Sequence, residues 1–139
     1  MCSSDLLQQL KKARAFQERR AQIAAAYDAA LAGLPLLLPP RAAASDLHSW
    51  HLYPVRLSDA ATCSRDAVIE RLFEARIGCS VHYIPLHLQP YWRDRYGLAA
   101  ERFPHSQRAY ERLISLPIYP RMDDADVARV VAALAAALG

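Results

Sequence analysis

The first thirty residues repeat apolar side chains at helical spacing. The positions are Leu6, Leu10, Ala13, Phe16, Ile23, Tyr27 and Leu31. This spacing predicts one helix that begins at a capping Ser3 or Ser4 and stops at Gly33 and Pro35. Such a helix of ~28 residues is about 42 Å long, whereas a compact domain of 139 residues is roughly 37 Å across. We therefore expect part of the apolar stripe to reach beyond the domain, to another domain or another chain.

The next stretch predicts a strand, a helix and a second strand. Residues 34–44 form a proline- and alanine-rich connector, and residues 50–57 predict a strand. Pro54 restricts that strand to a sheet edge or a bulge. Ser64 caps the helix that follows. The inner face of this helix is predicted to carry Val68, Ile69, Leu72 and Phe73. Residues 79–84 come directly after it and predict the central strand.

The remainder predicts two short helices, a third strand and a final helix. Pro90 suits the first turn of one short helix, which Gly97 closes, and Pro104 opens the next. Residues 115–118 predict the third strand, and Asp123 caps the last helix. Few strands with helices between them indicate a small sheet covered by helices, which is an α/β two-layer domain.

Composition fits a single globular domain in a reducing compartment. The chain has 139 residues, of which 53% are apolar and 22% are charged. No apolar run approaches the ~20 residues that span a bilayer, and the first five residues lack the features of a signal peptide. The three cysteines, Cys2, Cys63 and Cys79, are odd in number and far apart, which argues against a disulfide framework. We expect a cytoplasmic protein with no membrane contact.

The net charge of +3 is small, but the first helix is basic. Its basic residues are Lys11, Lys12, Arg14, Arg19 and Arg20. A nucleic-acid arm has this appearance, and so does a solvated helix face that also carries Gln17 and Glu18. No nucleic-acid recognition motif accompanies the charge, so we expect no nucleic-acid partner.

The residues that could carry chemistry do not form a complete catalytic or metal site. A zinc site could be drawn from His48, His51, Cys79, His82 and His87. No two cysteines have C-x-x-C spacing, so we expect no metal. Cys63 or Cys79 could pair with His82 as a nucleophile, but the sequence supplies no third group to orient the pair. The four glycines are isolated, which excludes a glycine-rich phosphate loop.

Residues 81–93 hold the highest density of candidate ligand contacts. They include two histidines, three aromatic residues, an arginine and two prolines. Polar rings at a strand end, before a helix, are a common place for ligand contacts in α/β proteins. The alternative is that His82 is buried and bonded to a backbone carbonyl. Alternation along a strand would place His82 and Tyr83 on opposite faces, so both serve one site only if the chain turns near Pro85.

Five segments carry a resemblance to a known family when they are taken together. They are residues 9–27, 49–55, 77–87, 103–104 and 116–122. In this order and spacing they resemble the C-terminal small domain of the DegT/DnrJ/StrS family of nucleotide-sugar aminotransferases, which use pyridoxal phosphate. One departure is Gln107, where family members usually have a glutamate.

The resemblance implies a fold, domain boundaries and three site residues. The fold is the small domain of a fold type I aminotransferase, with a short, three- to four-stranded, mainly antiparallel sheet covered by helices and preceded by a long helix. Residues 1–33 would be the linker helix and residues 34–139 the small domain. His82, Tyr83 and His87 would bind the substrate. This chain would hold no catalytic, cofactor-binding or metal-binding residue.

The resemblance also implies an activity that this chain does not perform alone. Family members transfer an amino group, usually from glutamate, to a keto group on a nucleotide-linked sugar, in surface polysaccharide, lipopolysaccharide or amino-sugar biosynthesis. Their large N-terminal domain holds the Schiff-base lysine for pyridoxal phosphate, and this chain begins where that domain ends. Lys11 and Lys12 lie side by side on a basic helix face, which does not provide the buried site that such a lysine needs.

We therefore expect an inactive chain without bound cofactor that forms a homodimer. Its partners would be a nucleotide-sugar substrate and a large domain that is missing or separately encoded. In one alternative the chain docks onto that separate domain and rebuilds an enzyme. In the other, it is a non-catalytic truncated remnant or a binding module.

Overall fold

Within residues 3–139, five α-helices surround three short strands. The structure is a computed structural model that describes these residues, with side chains from residue 6 onward. The helices are α1 (Ser3–Leu31), α2 (Arg65–Glu74), α3 (Pro90–Tyr96), α4 (Pro104–Arg112) and α5 (Asp124–Leu138), and the strands are β1 (Leu36–Leu37), β2 (Tyr53–Leu57) and β3 (Leu113–Leu116). The predicted caps Ser3 and Ser4 and the cysteine Cys2 lie outside the described side chains.

The three strands form one antiparallel sheet in the order β1–β2–β3. Leu36 of β1 pairs with Leu57 of β2, and Pro54 of β2 pairs with Ser115 of β3. The long helix α1 precedes the sheet in the chain, and residues of α1, α2 and α5 pack against it. The predicted α/β domain with a short antiparallel sheet is confirmed.

The hydrophobic core lies between one face of this sheet and helices α1, α2 and α5. Tyr53, Val55 and Leu57 alternate along β2 and are all buried, as the two-residue period of a strand requires. The helices contribute buried residues that include Ile23, Tyr27, Leu31, Val68, Leu72, Val130 and Leu134. Burial of this apolar surface is the main favourable contribution to folding.

One predicted core residue of α2 lies outside the core. Val68 and Leu72 are four residues apart and fully buried, whereas Phe73 is 78% exposed. Each residue of an α-helix is turned by about 100° from its neighbour. Phe73 therefore leaves the face that Leu72 buries.

Residues 79–84 do not form the predicted central strand. Only Ser80 joins the sheet, through an isolated antiparallel bridge to Ser115 on β3. The Ser80 N–H donates to the Ser115 carbonyl at 3.2 Å, and the Ser115 N–H donates to the Ser80 carbonyl at 2.7 Å. The alternating pattern in this segment belongs to a loop that meets the sheet at one residue.

β2 is the middle strand, although Pro54 had indicated an edge or a bulge. Because Ser115 uses both of its backbone groups on Ser80, it forms a non-hydrogen-bonded pair with Pro54. The nitrogen of Pro54 therefore faces the β1 side, where β1 pairs only with Arg56 and Leu57. Pro54 lies beyond the end of β1, so its missing N–H removes no bond from the sheet.

The first half of α1 projects from the domain. All side chains from residue 6 to residue 15 are exposed. The large apolar ones are Leu6, Leu7 and Leu10, at 54%, 60% and 72% exposure. The helix meets the domain at Arg19, whose guanidinium donates to the Met122 carbonyl at 2.7 and 3.0 Å and to Asp124 at 2.9 Å. Although α1 is long, no helix described in residues 3–139 is apolar enough to cross a membrane.

Candidate functional site

The candidate site lies on the face of the sheet opposite the core. Paired residues of antiparallel strands share a face, so the Ser115 side chain lies on the same side as Pro54 and opposite Tyr53. Ser115 is only 3% exposed. Its Oγ lies 2.9 Å from Nδ1 of the half-buried His82. The His82 imidazole is thus held by a buried hydroxyl rather than by a backbone carbonyl.

Tyr83 stands beside His82 and is open to solvent. The two rings are 4.8 Å apart in an edge-to-face arrangement at 84°, and the peptide bond between them is cis. Tyr83 is 75% exposed. Because residues 79–84 are a loop, the alternation of a strand does not separate these two side chains. An imidazole and a phenol therefore lie next to each other at this surface.

His87 is buried within the domain. It lies in the 3₁₀ turn Leu86–Leu88, is 4% exposed, and stacks on Phe103 with ring centroids 5.0 Å apart. Its Nε2 lies 3.0 Å from Oε1 of Gln107. The Gln107 amide nitrogen donates to Glu111 at 2.6 Å.

These contacts fix the tautomer of His87. The Glu111 carboxylate can only accept, so Gln107 must turn its amide nitrogen toward it and its oxygen toward His87. An amide oxygen also only accepts, so Nε2 of His87 carries the hydrogen. The residue that departs from the family pattern, Gln107, is the residue that holds His87.

An exposed apolar surface extends from Tyr83 along the following turn and α3. We call it the aromatic face, and it consists of Tyr83, Ile84, Leu86, Tyr91, Trp92 and Tyr96, all at least 41% exposed. Trp92 stacks on Tyr96 with ring centroids 5.7 Å apart. Contiguous exposed apolar residues on this scale mark interaction surfaces. Five of these six residues lie within residues 81–93, the segment that the sequence indicated for ligand contacts, whereas Tyr96 lies outside it.

A cavity lined by arginine side chains lies beside α4, and the sequence did not predict it. Arg108 and Arg112, four residues apart, both donate to Asp59, and these guanidinium groups hold the pKa of the Asp59 carboxyl below its ordinary value. The cavity of about 420 Å³ is also lined by Arg56 and His105. The helical i,i+4 spacing of the two arginines was the available signal. Their partner Asp59 lies 49 residues earlier than Arg108, so spacing alone did not reveal the cluster.

The predicted alternative chemistries find little support in the geometry. No three metal-binding side chains within residues 3–139 come together. Burial raises the pKa of the Cys79 thiol, which opposes its use as a nucleophile. Cys63 faces the carbonyls of Ala137 and Leu138 at 3.9 and 4.0 Å.

The lysines do not fit pyridoxal phosphate. Lys11 and Lys12 are exposed on the projecting half of α1. A Schiff-base lysine requires an enclosed site that favours its neutral amine. Neither lysine therefore has the surroundings that a Schiff base with pyridoxal phosphate requires.

Comparison with known proteins gives a consistent result. Residues 1–135 match the DegT/DnrJ/EryC1/StrS aminotransferase family. The chain is 43% identical to an uncharacterised protein of Methanocaldococcus jannaschii and 38% identical to the spore coat polysaccharide biosynthesis protein SpsC of Bacillus subtilis, in each case over 92% of this chain and 33% of the relative.

Solved structures agree with this match. A Streptococcus pneumoniae protein described as a sugar aminotransferase, and solved in a PLP form and a PMP form, superposes with a TM-score of 0.86 at 27% identity. The alignment covers 94% of this chain and 33% of that protein. The chain thus spans about a third of the length of the relatives that it matches.

Proposed function

The chain belongs to the DegT/DnrJ/EryC1/StrS aminotransferase family, and from this membership we propose that it is the small-domain part of a sugar aminotransferase. The reaction is transfer of an amino group from glutamate to a keto group on a nucleotide-linked sugar. The pathway is surface polysaccharide, lipopolysaccharide or amino-sugar biosynthesis. The relation to SpsC, a protein of spore coat polysaccharide biosynthesis, supports the choice of pathway.

One observation carries the site assignment: His82 and Tyr83 present polar ring atoms at one surface, with His82 anchored from behind by Ser115. An imidazole N–H and a phenol O–H donate hydrogen bonds to hydroxyl and phosphate oxygens, which are the groups of a nucleotide sugar. His82 and Tyr83 therefore contact the substrate. His87 was also predicted to bind the substrate; because it is 4% exposed and held by Gln107 and Phe103, we propose instead that it fixes the turn that follows them.

Pyridoxal phosphate belongs to the rest of the enzyme in this proposal. The PLP form of the Streptococcus pneumoniae relative supports its use in the family. When bound, the cofactor carries the amino group between the donor and the keto sugar. This chain alone binds no cofactor and is inactive, and it supplies substrate contacts to a site whose Schiff-base lysine lies in a large domain.

The partners are this large domain and a second copy of the assembled protein, in the cytoplasm and without nucleic acid. The projecting leucines of α1 and the aromatic face are the surfaces available for them. We expect the isolated chain to form dimers or larger species in light scattering. A monodisperse monomer at high concentration would contradict these partners.

The amination test joins the chain to the large domain of a relative, either fused ahead of α1 or supplied as a separate protein. Glutamate-dependent conversion of a nucleotide-linked keto sugar to its amino sugar is measured by chromatography. We expect turnover with both parts present and none with either part alone. An assembled protein that binds pyridoxal phosphate but aminates no nucleotide-linked keto sugar would instead favour the non-catalytic remnant or binding module.

A further inference from the structure

The buried hydroxyl of Ser115 has one hydrogen-bond partner among the residues that the structure describes. That partner is Nδ1 of His82, at 2.9 Å. The backbone groups of Ser115 are already used, since its N–H and carbonyl both pair with Ser80. The hydroxyl therefore makes no hydrogen bond within the sheet, and Ser115 is buried, with a relative exposure of 3%.

A buried hydroxyl donor has a strong preference for an acceptor. Leaving a buried O–H unpaired is costly, whereas an unused lone pair on the same oxygen is tolerated more readily. Nδ1 of His82 is the acceptor within reach. If Ser115 donates to Nδ1, that nitrogen carries no hydrogen in the neutral ring, and the hydrogen lies on Nε2.

The two ring nitrogens of His82 then differ in their hydrogen bonding. Nδ1 faces the sheet and is held by Ser115, whereas Nε2 has no hydrogen-bond partner within residues 3–139 and lies on the other side of the ring. An N–H at Nε2 is a donor that suits a hydroxyl or phosphate oxygen. An unprotonated Nε2 could only accept, which suits the O–H of a hydroxyl but repels an ionised phosphate oxygen.

We propose that Ser115 is the positioning residue of His82: its buried hydroxyl donates to Nδ1, keeps the hydrogen of the neutral imidazole on Nε2 and directs that N–H to the ligand. Only the last step rests on the proposed function. The first two concern the chain by itself. The bridge between Ser80 and Ser115 holds the loop against β3 and brings the imidazole onto the hydroxyl.

The test is the tautomer of His82, read from long-range ¹H–¹⁵N correlation spectra of the uniformly labelled 139-residue chain at a pH where the ring is neutral. In the wild type we expect the hydrogen on Nε2. In Ser115→Ala we expect the two nitrogens to shift toward each other, because the two tautomers then exchange. Ser115→Thr keeps the hydroxyl and is expected to restore the wild-type pattern.

Two controls accompany this test. Ser80→Ala removes an exposed hydroxyl from the other side of the same bridge and is expected to leave the His82 spectrum unchanged. His87 serves as an internal reference, since Gln107 fixes its hydrogen on Nε2 in every variant. If Ser115→Ala does not fold, the wild-type and Ser115→Thr spectra decide the question.

A wild-type hydrogen on Nδ1, a Ser115→Ala spectrum identical to the wild type, or a Ser115→Thr variant without the wild-type pattern would each overturn the inference. The NMR sample contains neither the sugar nor the large domain. The spectra therefore test the role of Ser115 even if the amination assay rejects the proposed function. In an active assembly, Ser115→Ala is expected to raise KM for the keto sugar about tenfold, equivalent to ~1.4 kcal/mol, with recovery in Ser115→Thr.

Discussion

Two tyrosines at the centre of the core make hydrogen bonds through their hydroxyl groups. Tyr27 and Tyr53 are fully buried, and their ring centroids lie 4.9 Å apart. The Tyr27 hydroxyl donates to the Pro117 carbonyl at 2.8 Å, and the Tyr53 hydroxyl donates to Asp28 at 2.7 Å. Arg41 reaches the other oxygen of Asp28 at 2.7 Å. These bonds tie α1 to β2 and to the connector.

The bond between Tyr53 and Asp28 should be measurable in the free energy of unfolding. Tyr53→Phe removes a donor from a nearly buried carboxylate, so we expect a loss of about 1–3 kcal/mol in urea unfolding. Tyr96→Phe removes a hydroxyl from an exposed ring and should change stability by less than about 0.5 kcal/mol. Equal stability of the Tyr53→Phe variant and the wild type would show that Asp28 does not depend on this bond.

The same tyrosines should make the free energy of unfolding decrease at alkaline pH. Burial raises the pKa of both phenols far above the ordinary value of 10.0, and the neighbouring Asp28 adds to the rise at Tyr53. The folded protein therefore keeps two phenol protons that the unfolded chain releases. Their contribution is complete below about pH 10 and falls as pH rises above it.

We expect the free energy of unfolding, measured in urea, to decrease as the pH rises from about 10 to about 12. The slope should be shallower in Tyr53→Phe, because one of the two raised groups is gone. A flat profile over this range in the wild type would contradict the burial of these phenols.

Single residues differed in how far the sequence could predict them. His82 and Tyr83 could be selected from the sequence because ring chemistry and position within a motif are local properties. Ser115 could not, because it lies 33 residues from His82 and reaches it only through the register of β3 with the loop. Gln107 could be recognised as a departure, but its bond to His87 depends on the packing of α4.

At the scale of elements, three helix caps were predicted correctly. Ser64 caps α2 by accepting from the Ala67 N–H, Gly97 closes α3 in the left-handed region at φ 58°, and Asp123 forms a capping box at α5. Each cap uses contacts within about four residues, so sequence determines it directly. Gly97 uses the conformational freedom of glycine here, since other residues rarely adopt that φ.

Strands were predicted less well because they depend on partners distant in sequence. β1 has only two residues and no sequence signal. The third strand begins at Leu113, two residues before the predicted Ser115, because α4 runs directly into it. The sequence did not predict that β2 is the middle strand, because Pro54 is typical of an edge strand. The nitrogen of Pro54 faces the β1 side at a position beyond the end of β1.

The two halves of α1 should differ in hydrogen exchange. Residues 6–15 are exposed and contact no core, and an isolated helix of ~10 residues is marginal in water. We expect their amides to exchange much faster than those of residues 23–31, which line the core. The boundary should lie near Arg19, whose guanidinium donates to Asp124 at the start of α5.

Mass spectrometry after brief deuterium labelling checks this at several protein concentrations. Protection of residues 6–15 that grows with concentration would identify association through the leucines of α1. Equal protection of both halves at the lowest concentration would contradict the projecting helix.

For the whole molecule, fold class, family and the projecting end of α1 could be predicted from sequence, whereas the arginine cavity could not. The order of five motifs was sufficient for the fold, and the family match over residues 1–135 confirms it. The arginine cavity joins Asp59 to α4 through tertiary packing, whereas the aromatic face lies within residues 83–96 of the chain. Both are open in a chain that spans about a third of the length of its relatives.

The central claim is that this chain contributes His82 and Tyr83 to the substrate site of a sugar aminotransferase. The most direct test compares His82→Ala with His105→Ala, an exposed histidine of α4, in the protein rebuilt with a large domain. We expect kcat/KM for the nucleotide-linked keto sugar to fall at least about tenfold in His82→Ala, equivalent to ~1.4 kcal/mol, while His105→Ala stays near the wild type and Tm changes little in either. An unchanged kcat/KM in His82→Ala, or a loss explained by unfolding, would contradict the account.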